Sequence, residues 1–290
     1  MATGATEFID STTIDAAIPE IWGGPAIVAR EAALVFARKV DLRYKAALRV
    51  GDILNVLNIT NLTAQTKTKA NNSAITYETQ SETNTQITVA TWCYSAIGVE
   101  SIVDYQAYMD MAAVYAPKQG YALGLQVDDT LAGHPDDFSN ATGTLAATST
   151  FTDYKRARQY LQDANAFPAS EWCFIVSPAE ENGLLDMKEF VHNDYATLHG
   201  SEARATELEM AYSTSFLRTP VYVTTNVEGT NAAGHDNALF HREAIALILQ
   251  KEPRVWTMTD IDYFVRKIAL EQLYGSAILR NDHGVFMRGA

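Results

Sequence analysis

The side chains that most often carry metal or acid–base chemistry are present in this chain, but their spacing organises none of it. The six histidines (His134, His192, His199, His235, His241 and His283) are scattered. No HExxH pattern, paired-cysteine motif or calcium-loop spacing of acids occurs. His192 and His199 are seven apart and could share a helix face, a spacing that surface histidines commonly show. The stretch Gly229 to Gly234 superficially resembles a phosphate loop, but His235-Asp236 stands where Lys and Ser or Thr would hold phosphate and magnesium. The acid pairs Asp128-Asp129 and Asp136-Asp137 could hold a cation in principle. At a helix end and in a proline-containing loop they are expected to be solvated. No G-x-S-x-G nucleophile elbow exists. Cys93 and Cys173 sit in apolar, strand-like surroundings (TWCYSAI and WCFIVSP) and are expected to be reduced core thiols. The chain reads poorly as an enzyme.

What these residues hang on is an ordinary globular composition. The 290 residues are 47% hydrophobic and 20% charged, enough apolar material for one large domain or two small ones. Net charge is −13, which argues against sequence-independent binding of nucleic acid over a broad surface. No positively charged start followed by an apolar run reads as a signal peptide, and no apolar run is long enough for a helical membrane span. The Asn-x-Ser/Thr matches at Asn58, Asn61, Asn71 and Asn140 therefore read as chance.

The organising element is Ser101 to Gly133. Residues there recur at steps of three or four (Ile102, Tyr105, Met109, Ala112, then Tyr121, Leu125, Asp128, Leu131), apolar with the single exception of Asp128, the signature of a one-sided helix. Glu100-Ser101 supply a cap, Gly133-His134-Pro135 a stop, and Pro117 a bend or brief break. At about 1.5 Å per residue the helix would run roughly 50 Å.

Upstream, residues 1–20 read as an extended arm. IPEIW is an apolar anchor, and a helix opened by Pro25 is expected through AIVAREAALVFARKV. Residues 30–49 carry six basic side chains (Arg30, Arg38, Lys39, Arg43, Lys45, Arg49) against Glu31 and Asp41. Either a solvated helix face or a docking surface for an acidic neighbour fits. From Gly51-Asp52 the style changes: ILNVLNI reads as a strand, and a Thr/Asn/Gln/Ser-rich tract with turn chemistry at Asn71-Asn72-Ser73 leads to TWCYSAI. This predicts a long two-stranded excursion with little core of its own, and a lone hairpin is marginal in water.

Downstream, HPDDFSNATGTLAATST reads as a loop, and FTDYKRARQYLQDANAFPASE as a helix with Thr152 as a possible cap. EWCFIVSP is a short, continuous apolar strand ended by Pro178, AEENGLLDMKEFVH a helix, and NDYATLHGSEARATELEMAYS a mixed, polar connection. LRTPVYVTTNV is a strand, EGTNAAGHD a loop, and NALFHREAIALILQKEP a buried strand or short helix. The last segment, VWTMTDIDYFVRKIALEQLYGSAILR, is expected to pair with VFMR across a hairpin turn at Asn281 to Gly284. Interleaved strands and helices favour α+β or α/β.

The order of these pieces resembles the major capsid protein of tailed double-stranded DNA bacteriophages, with the Hong Kong 97-type fold. The resemblance rests on IPEIW, the Gly-Asp start of a Thr/Asn-rich excursion, the long central helix, WCFIVSPAEENGLL, RTPVYVTTNV, NALFHREAIALIL and YGSAILRNDHGVFMR, in the family's order. It implies an α+β, wedge-shaped subunit. Residues 1–48 would be the N-terminal arm with a short helix, and 49–93 an extended β-hairpin loop. Residues 94–139 and 251–290 would be a peripheral domain with the spine helix, and 140–250 an axial domain. The implied function is a structural one, without catalysis or cofactor: hexamers and pentamers of one chain closing into an icosahedral head around double-stranded DNA that is not bound sequence-specifically.

The resemblance further implies a separate scaffolding protein, a portal protein, a possible decoration protein, no membrane partner, and assembly in the host bacterial cytoplasm into the virion. Inter-subunit contacts are expected at Arg38, Lys39, Arg43, Lys67, Lys69, Glu78 and Glu82. Some relatives are locked by a lysine in this loop joined to an asparagine of a neighbour, for which Lys67, Lys69 and Asn281 would be the candidates. That chemistry needs a desolvated lysine, and TAQTKTKANN offers no apolar neighbour larger than Ala. Two rivals stand beside this reading: an encapsulin-type cellular shell protein, which shares the fold, and a cytosolic α/β enzyme with an unrecognised site.

Overall fold

A computed structural model describes residues 32, 34–46, 48, 50–67, 74–106, 110–188, 212–217 and 219–289. All lie within the unit Ala32–Ala290. The expected arm, IPEIW and most of the helix through 26–40 fall outside the described residues. Of that helix, a single turn, α1 (Phe36–Lys39), is described.

At the centre of the core is β5 (Trp172–Val176), buried at every position. Its side chains alternate between two layers, as the two-residue period of a strand requires. Cys173 and Ile175 join a cluster with Val127, Leu131, Phe36 and Phe240. Trp172, Phe174 and Val176 join a second cluster with Tyr154, Ala157, Leu161 and Leu184. That double burial is why EWCFIVSP is apolar throughout instead of alternating. Helix α4 (Phe151–Asp163) and helix α5 (Pro178–Asp186) supply the second layer. The cap of α4 is Thr150, not Thr152: its hydroxyl accepts from the Asp153 N–H while Asp153 reaches back to the Thr150 N–H at 2.8 Å. A reciprocal pair of this kind satisfies two orphan donors at once.

Strand β5 belongs to a seven-stranded sheet ordered β4-β12-β9-β5-β7-β6, with β8 paired to β9. The others are β4 (Asn140–Gly143), β6 (Tyr212–Phe216), β7 (Thr219–Val223), β8 (Gly229–Thr230), β9 (Gly234–His241) and β12 (Gly284–Gly289). Two expectations are corrected here. The loop 134–150 contains β4, which pairs in parallel with β12. Strand β12 makes no hairpin with its predecessor: it leaves for this sheet, antiparallel to β9, through a 3-10 turn at Asn281–His283. Neither partner is near in sequence, so local patterning could not reveal them.

A three-stranded antiparallel sheet, ordered β10-β11-β3, is built from β3 (Thr91–Glu100), β10 (Ile245–Asp260) and β11 (Val265–Ile278). Strand β10 is buried over Ile245–Ile248 and exposed from Glu252 to Thr259. Its ladder slips between Leu249 and Arg254, around Pro253, on an edge strand where proline is tolerated.

Helix α3 (Met111–Ala132) packs on one face of this sheet through Leu123, against Ile268 and Leu270. Of the two alternatives at Pro117, a bend or a brief break, the break does not occur: the helix is continuous through it. A separate segment, α2 (Ser101–Gln106), precedes it, and the non-helical Asp110 starts α3 afresh, with 107–109 outside the described residues. The Asp110 carboxylate accepts from the Ala113 N–H, and its carbonyl from the Val114 N–H. The stop at Gly133 is where the sequence places it.

The stretch from residue 32 to Val40 is strapped across α3. The Ala32 N–H donates to the Tyr121 hydroxyl, and the Val35 and Ala37 N–H groups donate to Asp128 at 3.3 and 3.0 Å. Leu34 lies so close to Gly124 that a Cβ there would meet its side chain at 2.7 Å. Tyr121, Gly124 and Asp128 share one helix face.

Candidate inter-subunit surfaces

The antiparallel ribbon of β1 (Ile53–Asn58) and β2 (Thr83–Thr88) is registered from Ile53↔Thr88 to Asn58↔Thr83. Its root is docked. Ile87 is fully buried beside Leu48, Val89, Ala246 and Ile248, with Leu54 and Val56 half-buried against them. Beyond Asn58 the described residues of the limbs have no ladder and are tied by side chains: Thr60 Oγ1 donates to the Ser81 carbonyl, and the N–H and hydroxyl of Thr63 both donate to Glu78. Outward from the root, Leu57, Ile59, Leu62, Ile75 and Tyr77 are exposed, Tyr77 to 84%.

A second exposed surface is the face of the three-stranded sheet opposite α3. Trp92 and Tyr94 of β3 are 68% and 74% exposed, with Trp256 and Met258 of β10 also exposed. Glu271 of β11 orders them. Its carboxylate accepts from Trp92 Nε1 at 3.0 Å, Trp256 Nε1 at 2.8 Å and Lys251 Nζ at 2.5 Å. Lys251, together with the indole donors, holds the carboxyl below the usual carboxylate range. The Arg254 guanidinium stacks on Trp256, 4.2 Å from the ring centroid. A third exposed group sits at the β10–β11 turn, with Ile261, Tyr263 and Phe264. There the Phe264 carbonyl accepts from the Ser101 N–H, beside exposed Ile102 and Val103 of α2.

The seven expected contact residues fare differently. Arg38 is exposed. Lys39 is engaged within the chain, its Nζ donating to the Tyr222 hydroxyl at 2.7 Å and lying 4.1 Å over that ring. Arg43 is held by Asp41 at 2.7 Å and Glu243 at 2.9 Å, and the hydrogen bond to Asp41 raises its pKa. Lys39 and Arg43 thus make contacts within their own chain. Lys67 and Glu82 are exposed on the ribbon, Glu78 serves the ribbon's own Thr63, and Lys69 lies outside the described residues.

Asn281 has local work, its side-chain oxygen accepting from the Ser139 N–H at 2.7 Å. Asp128 departs from expectation. It is fully buried, strapping Val35 and Ala37 and accepting from Asn226 Nδ2 at 3.0 Å, and burial raises its pKa against those bonds. Asp129, Asp136 and Asp137 are exposed.

Among the described residues no group of three or more His, Cys, Asp or Glu could hold a metal ion, and no helix is long and apolar enough to cross a membrane. His192 and His199 lie outside the described residues. The Gly229–Gly234 stretch is a tight β8–β9 turn. Cys173 is buried and Cys93 half-buried, both as free thiols. Local sequence could not reveal the Trp–Glu–Trp cluster, because its members are 179 and 15 residues apart.

No family profile and no curated protein matches the sequence. Solved structures do. A chain from Mycobacterium phage Che8 superposes with TM-score 0.75 at 21% identity, covering 93% of this chain and 96% of that one. A chain of the cyanophage P-SCSP1u capsid gives 0.74 at 12% identity, covering 96% and 94%. One from the mature capsid of bacteriophage PhiM1 gives 0.69 at 13%, covering 93% and 91%. At these identities the likeness is one of fold. The chain has, nearly end to end, the α+β fold found in phage capsids.

Proposed function

We propose that this chain is the major capsid subunit of a tailed double-stranded DNA bacteriophage, a structural protein that assembles as hexamers and pentamers into an icosahedral head. The observation that carries the reading is the fold likeness to phage capsid chains over more than nine-tenths of both lengths. The exposed apolar surfaces add physical support, since contiguous apolar area on a soluble subunit marks sites of association. Phage particles as neighbours favour a viral head over a cellular compartment.

In Hong Kong 97 terms, the β1–β2 ribbon within 49–93 is the extended loop, and residues 1–48 the arm. The peripheral domain (94–139 and 251–290) is carried by α3 and the three-stranded sheet, and the axial domain (140–250) by the larger sheet, to which β12 also contributes. The ribbon reaches a neighbouring copy, Arg38 contributes charge at such a contact, and a separate scaffolding protein guides closure. Portal, decoration protein and packaged DNA are the remaining partners, within a virion assembled in the host bacterial cytoplasm. A net charge of −13 suits a container that must not grip its DNA tightly.

The experiment is co-expression with the scaffolding protein followed by electron microscopy. The full chain is expected to give closed icosahedral shells. A chain lacking Thr66 to Thr79 is expected to remain folded by circular dichroism and to form none. Normal shells from the deleted chain would overturn the role of the ribbon. A full chain that stays a small oligomer with its scaffold would overturn the capsid assignment.

A further inference from the structure

The chain crosses between the two sheets three times, once from β3 to β4 through α2 and α3 and twice side by side. Strands β9 and β12 pair in the seven-stranded sheet, β10 and β11 in the three-stranded one. The chain passes between them through 242–244 on the way out and 279–283 on the way back. The two passages are tied to each other: the Leu279 and Arg280 N–H groups both donate to the Ala244 carbonyl, at 2.8 and 3.3 Å. Beside them lie two buried imidazoles. His241 and His283 meet edge to face, ring centroids 5.8 Å apart and planes at 87°.

We propose that His241 and His283 form an acid-sensitive joint between the two sheets, closed while His241 is neutral and loosened when it takes a proton. The hydrogen bonding of His241 decides the direction. Its Nδ1 accepts from the Glu243 N–H at 3.2 Å, capping the turn at Arg242–Ala244. An imidazole that accepts at Nδ1 carries its single proton on Nε2. A second proton must go to Nδ1, which sets donor against donor and removes the cap. His241 Nε2 and His283 Nδ1 are buried without a hydrogen-bond partner among the described residues, so new charge on either ring would meet little polar compensation.

The groups facing the pair are mixed in sign. Glu171 lies 3.8 Å from His241 Nε2, and Asp282 4.0 Å from His283 Nε2. Glu243, itself bridged to Arg43 and Arg280, flanks both rings, with Arg280 acting against protonation of each and Arg43 against that of His241. Desolvation outweighs the acids, and both histidines are held below the ordinary range.

A histidine whose folded pKa is lowered leaves stability undiminished above the unfolded value, about 6.5. Stability then declines as pH falls below that value, because the unfolded state takes the proton first. Between pH 6.5 and 5.5 one such group can favour opening by at most about tenfold. The inference concerns the single chain and stands independently of whether shells form.

The test uses the full chain and two readouts. Hydrogen-exchange protection, corrected for intrinsic rate, is followed from pH 7.5 to 5.5 in peptides spanning 241–246 and 279–284, with β5 as the control. The wild-type joint is expected to lose several-fold protection relative to β5. His241→Asn, which keeps an acceptor for the Glu243 N–H but does not titrate, is expected to lose little. Ring-nitrogen NMR of the wild type is expected to show His241 titrating below 6.5 with the Glu243 amide shifting at the same midpoint. In His241→Asn the His283 midpoint is expected to rise, since its repelling neighbour is gone. Matching pH profiles in wild type and variant, or a His241 midpoint at or above 6.5, would overturn the proposal. Should the variant fail to fold, the wild-type titration alone decides.

Discussion

Replacing Ile87 with Ala should detach the β1–β2 ribbon while sparing the rest of the chain. Ile87 is fully buried in a root cluster with Leu48, Val89, Ala246 and Ile248. The remaining ribbon contacts at that root, Leu54 and Val56, are only half-buried. Truncating a buried Ile to Ala removes the transfer energy of the lost carbons and leaves a cavity, together about 2–5 kcal/mol. A two-stranded ribbon without that anchor is marginal on its own, so the loss should appear as local opening. At about 1.4 kcal/mol per decade, protection of the 53–58 and 83–88 amides should fall between roughly 30-fold and a few thousand-fold. Hydrogen exchange resolved by peptide is the assay, with β5 amides expected to change by less than a tenth as much. Equal loss of protection in β5 would show that the ribbon unfolds only with the core. No change in the ribbon would show that its docking does not depend on Ile87, and either result refutes the argument.

Thr150→Ala breaks the capping pair with Asp153 and should cost about 1 kcal/mol, read as a fall of roughly 2–4 °C in the thermal midpoint. Burial pushes the Cys173 thiol up to about 12, so it should resist alkylation at pH 8 in the folded chain and react in denaturant. Lys67 is exposed and the Asn281 side-chain carbonyl already accepts from Ser139, so shells of the proposed kind, boiled in denaturant, should run as one band near 31.9 kDa. A ladder of multimers that vanishes with Asn281→Ala would reverse that expectation.

Much of this architecture was legible because it is written locally. EWCFIVSP announces a strand buried on both faces, the three-and-four spacing after Ser101 announces a helix, and ILNVLNI with the Thr-rich tract announces a ribbon. The capsid-type fold followed from the order of such pieces. What stayed hidden depends on pairing across distance. Strand β12 was read as a hairpin partner of its predecessor because its true neighbours, β4 and β9, begin 144 and 50 residues earlier (284 − 140 and 284 − 234). Pro117 signals a bend or a brief break through its missing donor, and nothing in that rule points to the fresh start at Asp110. Lys39 looked like a surface charge until Tyr222 was brought over it. Asp128 looked solvated because nothing in its own neighbourhood reveals the strap that covers it.

The ribbon formed by β10 and β11 also has a mechanical meaning. A load applied at its Ile261–Phe264 turn along the strand axis is shared by every rung of the antiparallel ladder at once. A sideways load peels the rungs singly, beginning at Asp260↔Val265. The two register slips between Leu249 and Arg254 divide β10 into a root set in the core and an outer span whose side chains are exposed. Bending should therefore concentrate at Pro253, where the ladder is already interrupted. Because β11 is held along its length by β3 and lies under Leu123 of α3, the give at Pro253 belongs to the edge strand alone, and the outer part of β10 can shift there while Ile245 to Ile248 keep their packing.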